Sequence, residues 1–341
     1  MPTPQLAVIA ATLVLVVGRG AMGASCEGQN LFDQMPPERL QAIEDVLTDV
    51  PFQNGLLFEA RRGDQRITLV GTYHFGDARH QPMIDRLRPV ISKADALYVE
   101  AGPEEEARLS QALAEDPSLM VSPVGATLPE RLSDAEWQAL SEAMADRGTP
   151  AVITARMRPW YVAMMLGISP CMVRTMAEEG GETGGLDHSL VAVARQAQVP
   201  VRALEPWDTV FSLFADLTPQ EELDMIRASL PAAAYADDYA VTLTDAYFAG
   251  DVWKIWEFGR FDAYANSGLS RDEVDRQMEL AQSRLMDTRN EAWIAPLLDG
   301  AADAADEDRR IVAAFGALHL PGENGVLSLL QQEGFAITRL D

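Results

Sequence analysis

Two hydropathy rhythms divide the chain. Near both ends, short apolar runs of strand length alternate with polar turns, whereas from about residue 103 to 300 the apolar positions recur at helical spacing. In the first region Gly55-Leu-Leu-Phe-Glu-Ala60 and Ile67-Thr-Leu-Val70 flank Arg61-Arg-Gly-Asp-Gln65, which predicts a hairpin turning at Gly63-Asp64. A helix opens at Pro36-Pro37-Glu38 and runs to roughly Asp49, proline being tolerated in a first turn. After Pro82 a helical segment extends to Ser92, and Ala96-Leu-Tyr-Val-Glu100 reads as a strand. Strand, helix and strand in succession form a β-α-β unit, whose two strands are expected to be parallel neighbours.

The middle region reads as a helical cap. Ser133-Asp-Ala-Glu136 is a capping box, and Val152 to Ile168 reads as one Met-rich apolar helix whose methionines fill core. Gly180-Gly-Glu-Thr-Gly-Gly185 breaks the chain before a helix from Leu186 to Ala197, and Pro200 to Glu205 is a further strand. Helices follow over Pro219 to Leu230, Asp237 to Ala249, Val252 to Tyr264, Arg271 to Met286 and Arg289 to about Ala302. The chain closes with an acidic turn at Asp303 to Asp308, a strand ending in Gly316, a helix from Glu323 to Gln332 and a strand from Phe335 to Thr338. No long linker or low-complexity tract interrupts this order, so residues 26–341 read as a single domain.

Two strands end in the same device, Gly71-Thr-Tyr-His74 and Gly316-Ala-Leu-His319. Each glycine allows a turn or a close backbone approach, so a histidine leaves the strand's carboxyl end. Two other strands stop at carboxylates, Glu100 and Glu205. In open α/β sheets the carboxyl ends of parallel strands share one edge, and ligands bind there. Two imidazoles and one or two carboxylates can act in two ways. As a metal site, His74, Glu100 and His319 would hold Zn, Mn or Co and leave a water as the next ligand. Without metal, a histidine would activate water while a carboxylate orients its ring. Each residue also has a plainer reading: the histidines as satisfied strand ends, Glu100 as a strand cap, Glu205-Pro206-Trp207 as a helix start, and Arg289 as a buried partner for one of the carboxylates. Asp77 and His80 are expected in an exposed loop, and His188 beside Asp187 as a structural residue. Arg156 and Arg158 are candidates to line the cap, with Trp160 packing its helix.

Charge narrows the partners. A formal net charge of −25 disfavours nucleic acid and anionic membrane surfaces, because phosphates would be repelled. The apolar run from Leu6 to Val17 is shorter than the ~20 residues that span a bilayer. Small residues follow it at Ala21-Met-Gly-Ala-Ser25, so residues 1–25 read as a cleaved export signal and the protein as periplasmic or secreted. No Lys or Arg precedes the run, and Cys26 follows Gly23-Ala-Ser25, which leaves an uncleaved anchor and a lipidated Cys26 as alternatives. In an oxidising compartment Cys26 and Cys171 would either pair or remain two thiols.

The set Gly71-Thr-Tyr-His74, Tyr98-Val-Glu100, Leu204-Glu205, Arg289-Asn290 and Gly316-Ala-Leu-His-Leu-Pro-Gly322 resembles the TraB/GumN family of the Tiki-like superfamily, which also holds erythromycin esterases and haem-binding ChaN-like proteins. The likeness covers nearly the whole mature chain. It implies an α/β fold with a central mixed, largely parallel sheet, flanking helices and a large helical insertion. It also implies a hydrolytic site, with metal-dependent proteolysis attributed to Tiki-like members. Carried over, the site is His74, Glu100 and His319, with Glu205 nearby and Arg289 as the cation that would hold a substrate carbonyl or oxyanion. The expected function is therefore an exported metal-dependent hydrolase acting on a peptide or small molecule. The alternatives are a metal-free esterase-like hydrolase, or a haem or ligand-binding protein for which Tyr73 beside His74 is a possible iron ligand.

Overall fold

A computed structural model describes residues 26–178 and 184–341. The expected export signal and Gly180 to Thr183 of the glycine-rich break lie outside the described residues. Six strands form one sheet: β1 (Leu57–Arg62), β2 (Gln65–Thr72), β3 (Leu97–Val99), β4 (Val201–Ala203), β5 (Ile311–Gly316) and β6 (Ala336–Arg339), in the order β4-β3-β5-β2-β1-β6. The strands β4, β3, β5 and β2 run parallel, and β1 is antiparallel to both β2 and β6. The hairpin turns at Gly63, whose φ of 60° is the left-handed conformation that glycine accepts. The fold is thus the mixed, largely parallel α/β sheet expected.

The expectation that β2 and β3 are neighbours is corrected. β5 lies between them and pairs with both, Ala314 facing Val70 on one side and Val99 on the other. Its run Ile311-Val-Ala-Ala-Phe315 is buried throughout, and such an apolar strand is satisfied only with partners on both edges and helices on both faces. Alternation along the strands feeds two cores. Ile67, Leu69, Ile311, Ala313 and Phe315 face the Thr288–Asp306 and Val326–Gln332 helices. Val70, Val312 and Ala314 face the Gln81–Ile91 and Leu186–Gln196 helices.

The cap is helical with three departures from expectation. The segment from Val152 to Ile168 is two helices, Ala151–Thr154 and Pro159–Leu166, because Pro159 holds Arg158 extended (ψ 138°). The Arg271–Gln282 helix passes through a π turn, Ser283–Asp287, directly into Thr288–Asp306. That last helix runs through the acidic stretch to Asp306, with Ala301 and Ala304 buried against the sheet. Cys26 and Cys171 are disulfide-bonded, tying the start of the described chain to the Pro170–Glu178 helix. No helix among the described residues is long and apolar enough to cross a membrane.

Candidate functional site

The central place of β5 assembles the site. Its last residue, Gly316, ends between the exits of β3 and β2. A β-carbon on Gly316 would lie 3.2 Å from Glu100 Oε1, 3.5 Å from His74 Nε2 and 3.6 Å from His319 Cδ2. The glycine therefore keeps open one small space onto which all three side chains converge. Gly71 serves packing instead: a β-carbon there would meet Leu320 at 2.8 Å and Ala317 at 3.0 Å. Both glycines permit close approach, and neither needs a left-handed φ.

Arg289 binds the cluster from behind. Its Nη2 donates to Glu100 Oε2 (2.6 Å) and Glu205 Oε2 (2.9 Å), and its Nε to Glu205 Oε1 (2.5 Å). Its Nη1 donates to the Leu285 carbonyl (2.9 Å) and to His319 Nε2 (3.2 Å). These bonds engage all five guanidinium N–H groups. No donor remains for a substrate oxygen, so the plainer reading of Arg289 as a buried partner for the carboxylates describes what it does. Glu205 is held further by Trp293 Nε1 (3.0 Å), which makes it a wall of the site. Glu100 Oε1 accepts the Gly316 N–H at 2.6 Å. Burial alone would raise the Glu100 pKa, but neighbouring positive charge, with Arg289 the permanent one, and the Gly316 bond bring it down to about 2.

The two histidines differ sharply. His319 is 7% exposed, and its Nδ1 lies 2.6 Å from Asn290 Oδ1. Asn290 turns its amide nitrogen to the Asn324 carbonyl, so its oxygen accepts the Nδ1 proton. Nε2 then accepts from Arg289, and the ring is neutral, with burial depressing its pKa to about 4. His74 is 54% exposed, and Nδ1 lies 3.3 Å from Asp187 Oδ2. Burial of the ring atoms works against its charge, yet the bond to Asp187 and the charges of Asp187 and Glu100 raise its pKa above 6.5. Its Nε2 faces the Gly316 space with a lone pair free whenever the ring is neutral.

Asp187 is the residue that sequence reasoning passed over. It opens the Leu186–Gln196 helix, which docks on the histidine loop through Leu186 N–H to the Tyr73 carbonyl (3.0 Å). A β-carbon on Gly185 would fall 2.5 Å from the His74 carbonyl carbon, so glycine is required for that docking. His188 is ion-paired with Asp187 (3.2 Å) and Glu106 (3.1 Å), and those two bonds raise its pKa to about 10. The readable signal was an acidic residue in a first helical turn, next to a histidine and just after a glycine break.

His80 is corrected outright. It is 3% exposed, packs on Phe248 and lies 3.0 Å from the Phe75 carbonyl, because the loop folds under the cap. Asp77 is partly buried and caps the Arg79 N–H. Tyr73 stacks on Tyr247 and bonds Thr244 (2.8 Å), burial pushing its pKa up to about 12, so its oxygen is committed to the cap. Arg156 and Arg158 tie loops through the Gly125 and Ser118 carbonyls, and Trp160 stacks on Phe214.

Among the described residues no group of three or more His, Cys, Asp or Glu is disposed to hold a metal ion. The single lone pair of His319 Nε2 is taken by Arg289, and the two Glu100 oxygens each accept one bond, from Arg289 and from Gly316. In this geometry the set does not fit a metal, since a dication and the guanidinium would compete for the same atoms.

Residues 56–339 match the family described as TraB/PrgY/gumN. A protein of Escherichia coli (strain K12) named Uncharacterized protein YbaP is 25% identical over 272 residues, covering 79% of this chain and 89% of the relative. The YbaP of Shigella flexneri is likewise 25% identical over 272 residues.

Proposed function

The chain belongs to the TraB/PrgY/gumN family, and on that premise we propose that it is a hydrolase with His74 as general base. The observation that carries this reading is the bond from Nδ1 of a half-exposed His74 to Asp187, which turns Nε2 towards the space beside Gly316. A water in that space gives its proton to Nε2 while its oxygen bonds to the carbonyl carbon of an ester or amide. Asp187 stabilises the imidazolium so formed. On collapse of the tetrahedral intermediate the imidazolium returns that proton to the leaving oxygen or nitrogen as its bond to carbon breaks. Glu100, Arg289 and His319 position the wall against which the water sits.

A metal centre of His74, Glu100 and His319 is the second reading. The two carboxylates Glu100 and Glu205 against the single Arg289 favour it, since an excess of negative charge draws a cation. It requires Arg289 to release Glu100 and His319. Export is also part of the proposal, and the Cys26–Cys171 bond supports it, because disulfides persist in oxidising compartments.

The test is hydrolysis of ester and peptide panels by protein purified without chelators, assayed with and without EDTA. Turnover that survives EDTA and falls in both His74→Ala and Asp187→Asn is the expected result. Turnover lost to EDTA and restored by Zn, Mn or Co would replace this reading with the metal one. No turnover together with a Soret band on haem titration would replace both with ligand binding.

A further inference from the structure

We propose that the cap contains a subsite for an aliphatic chain, in the apolar cleft among the Pro219–Ala233, Ala236–Ala249, Val252–Asn266 and Arg271–Gln282 helices. Assigning that chain to the substrate rests on the hydrolytic reading above, whereas its binding does not.

The cleft consists of two adjoining cavities of about 300 and 350 Å³ that share the walls Ala228, Ser229, Tyr239, Leu243, Gly259, Ala263 and Ser267. Small residues on facing helices make the room; a β-carbon on Gly259 would already stand 3.2 Å from the Tyr239 hydroxyl. Both histidine loops contribute to the walls. Tyr73 and Phe75, on either side of His74, bound one cavity, and Leu318, next to His319, bounds the other. A ligand in the cleft therefore lies against the backbone that delivers the two imidazoles.

The chemistry of the walls selects the ligand. Their hydroxyls and amides are mostly engaged within the protein. Ser229 and Ser267 donate to carbonyls of their own helices (2.9 and 2.6 Å), Asp262 accepts from Tyr235 and Asn266, and Gln277 donates to Glu273. One donor is left over for a ligand among the described residues: the Tyr239 hydroxyl makes no hydrogen bond within them and lines both cavities, whereas the unpaired Trp256 Nε1 is itself closed off. A peptide would bring a donor and an acceptor with every residue, and most would be stranded in such walls. An alkyl chain brings none, and a single carbonyl or carboxyl group can be met by the Tyr239 hydroxyl on the wall of both cavities.

Titration of the full chain with cis-parinaric acid, a fluorescent fatty acid, tests the subsite. Saturable binding is expected, displaced by dodecanoate, weaker with octanoate by about three- to fourfold per methylene removed, and not displaced by acetate. Ala263→Trp, which fills the shared part of the cleft, loses at least about tenfold in affinity, and Ala228→Trp on the facing helix does the same if the first variant fails to fold. His74→Ala binds as the parent does. Absence of saturable binding, binding unchanged in both folded variants, or displacement by an apolar peptide but not by dodecanoate overturns the proposal. Parinarate binding without turnover of any ester or peptide retains the subsite and removes the catalytic reading. Ester turnover that ignores chain length, without parinarate binding, does the reverse.

Discussion

His74 and His319 leave the sheet by the same Gly-x-x-His step, yet one stands half in solvent against an aspartate and the other is sealed against an arginine. The difference comes from what other elements bring to each loop. The Leu186–Gln196 helix presents a carboxylate to the first imidazole, which stabilises its charged form and leaves Nε2 free. The Thr288–Asp306 helix presents Asn290 and Arg289 to the second, which fix one tautomer and occupy its lone pair. The spacing of a motif thus delivers a ring to an edge. Distant partners decide whether that ring can exchange a proton.

If the comparison holds, His74→Ala lowers turnover by about 10³-fold while the thermal midpoint stays in place. His319→Ala lowers both, because it leaves one Arg289 N–H and the Asn290 Oδ1 unpaired in a buried site; assays of turnover and melting on the same preparations separate the two. Arg289→Met costs about 3 to 5 kcal/mol in denaturant unfolding, since it leaves buried carboxylates unpaired. Arg289→Lys does not restore that loss, as a lysine has three donors where the site uses five.

Asp187→Asn is the sharper and smaller change, about tenfold in turnover at neutral pH. His74 is inactive as a base while protonated, so turnover rises with pH through a pKa above 6.5. Without the aspartate charge that rising limb moves to lower pH, which a pH–rate profile reads directly.

The smallest effect is on acid stability. His319 and Glu100 both have depressed folded pKa values, about 4 and about 2. Their contributions are complete above the unfolded values of 6.5 and 4.5 and are lost as pH falls through the folded ones. Melting temperature is therefore expected to decline as pH falls from 6.5 towards 4, and His319→Asn flattens that part of the decline.

Much of this arrangement was legible in the chain. Strand-length apolar runs ending in His74, Glu100, Glu205 and His319 named residues that do meet at one sheet edge. Strand order was not legible: β5 enters between β2 and β3 through pairing of the chain's two ends, and no local pattern encodes that. Side-chain saturation was equally hidden. Arg289 reads in sequence as either an oxyanion-holding cation or a carboxylate partner and is fully bonded in the fold, and His80 reads as an exposed loop residue and lies under Phe248. Asp187 escaped notice because its partner His74 is far away in sequence and reached only when the helix start docks on the loop.

The chain has four histidines, so imidazole nitrogen NMR can follow each ring through a pH titration. The inequality of His74 and His319 predicts that His319, assigned with His319→Asn, stays neutral and protonated on Nδ1 until pH approaches 4, while His74 titrates above 6.5. A His319 that titrates near 6.5, or carries its proton on Nε2, or moves together with His74, would contradict the account.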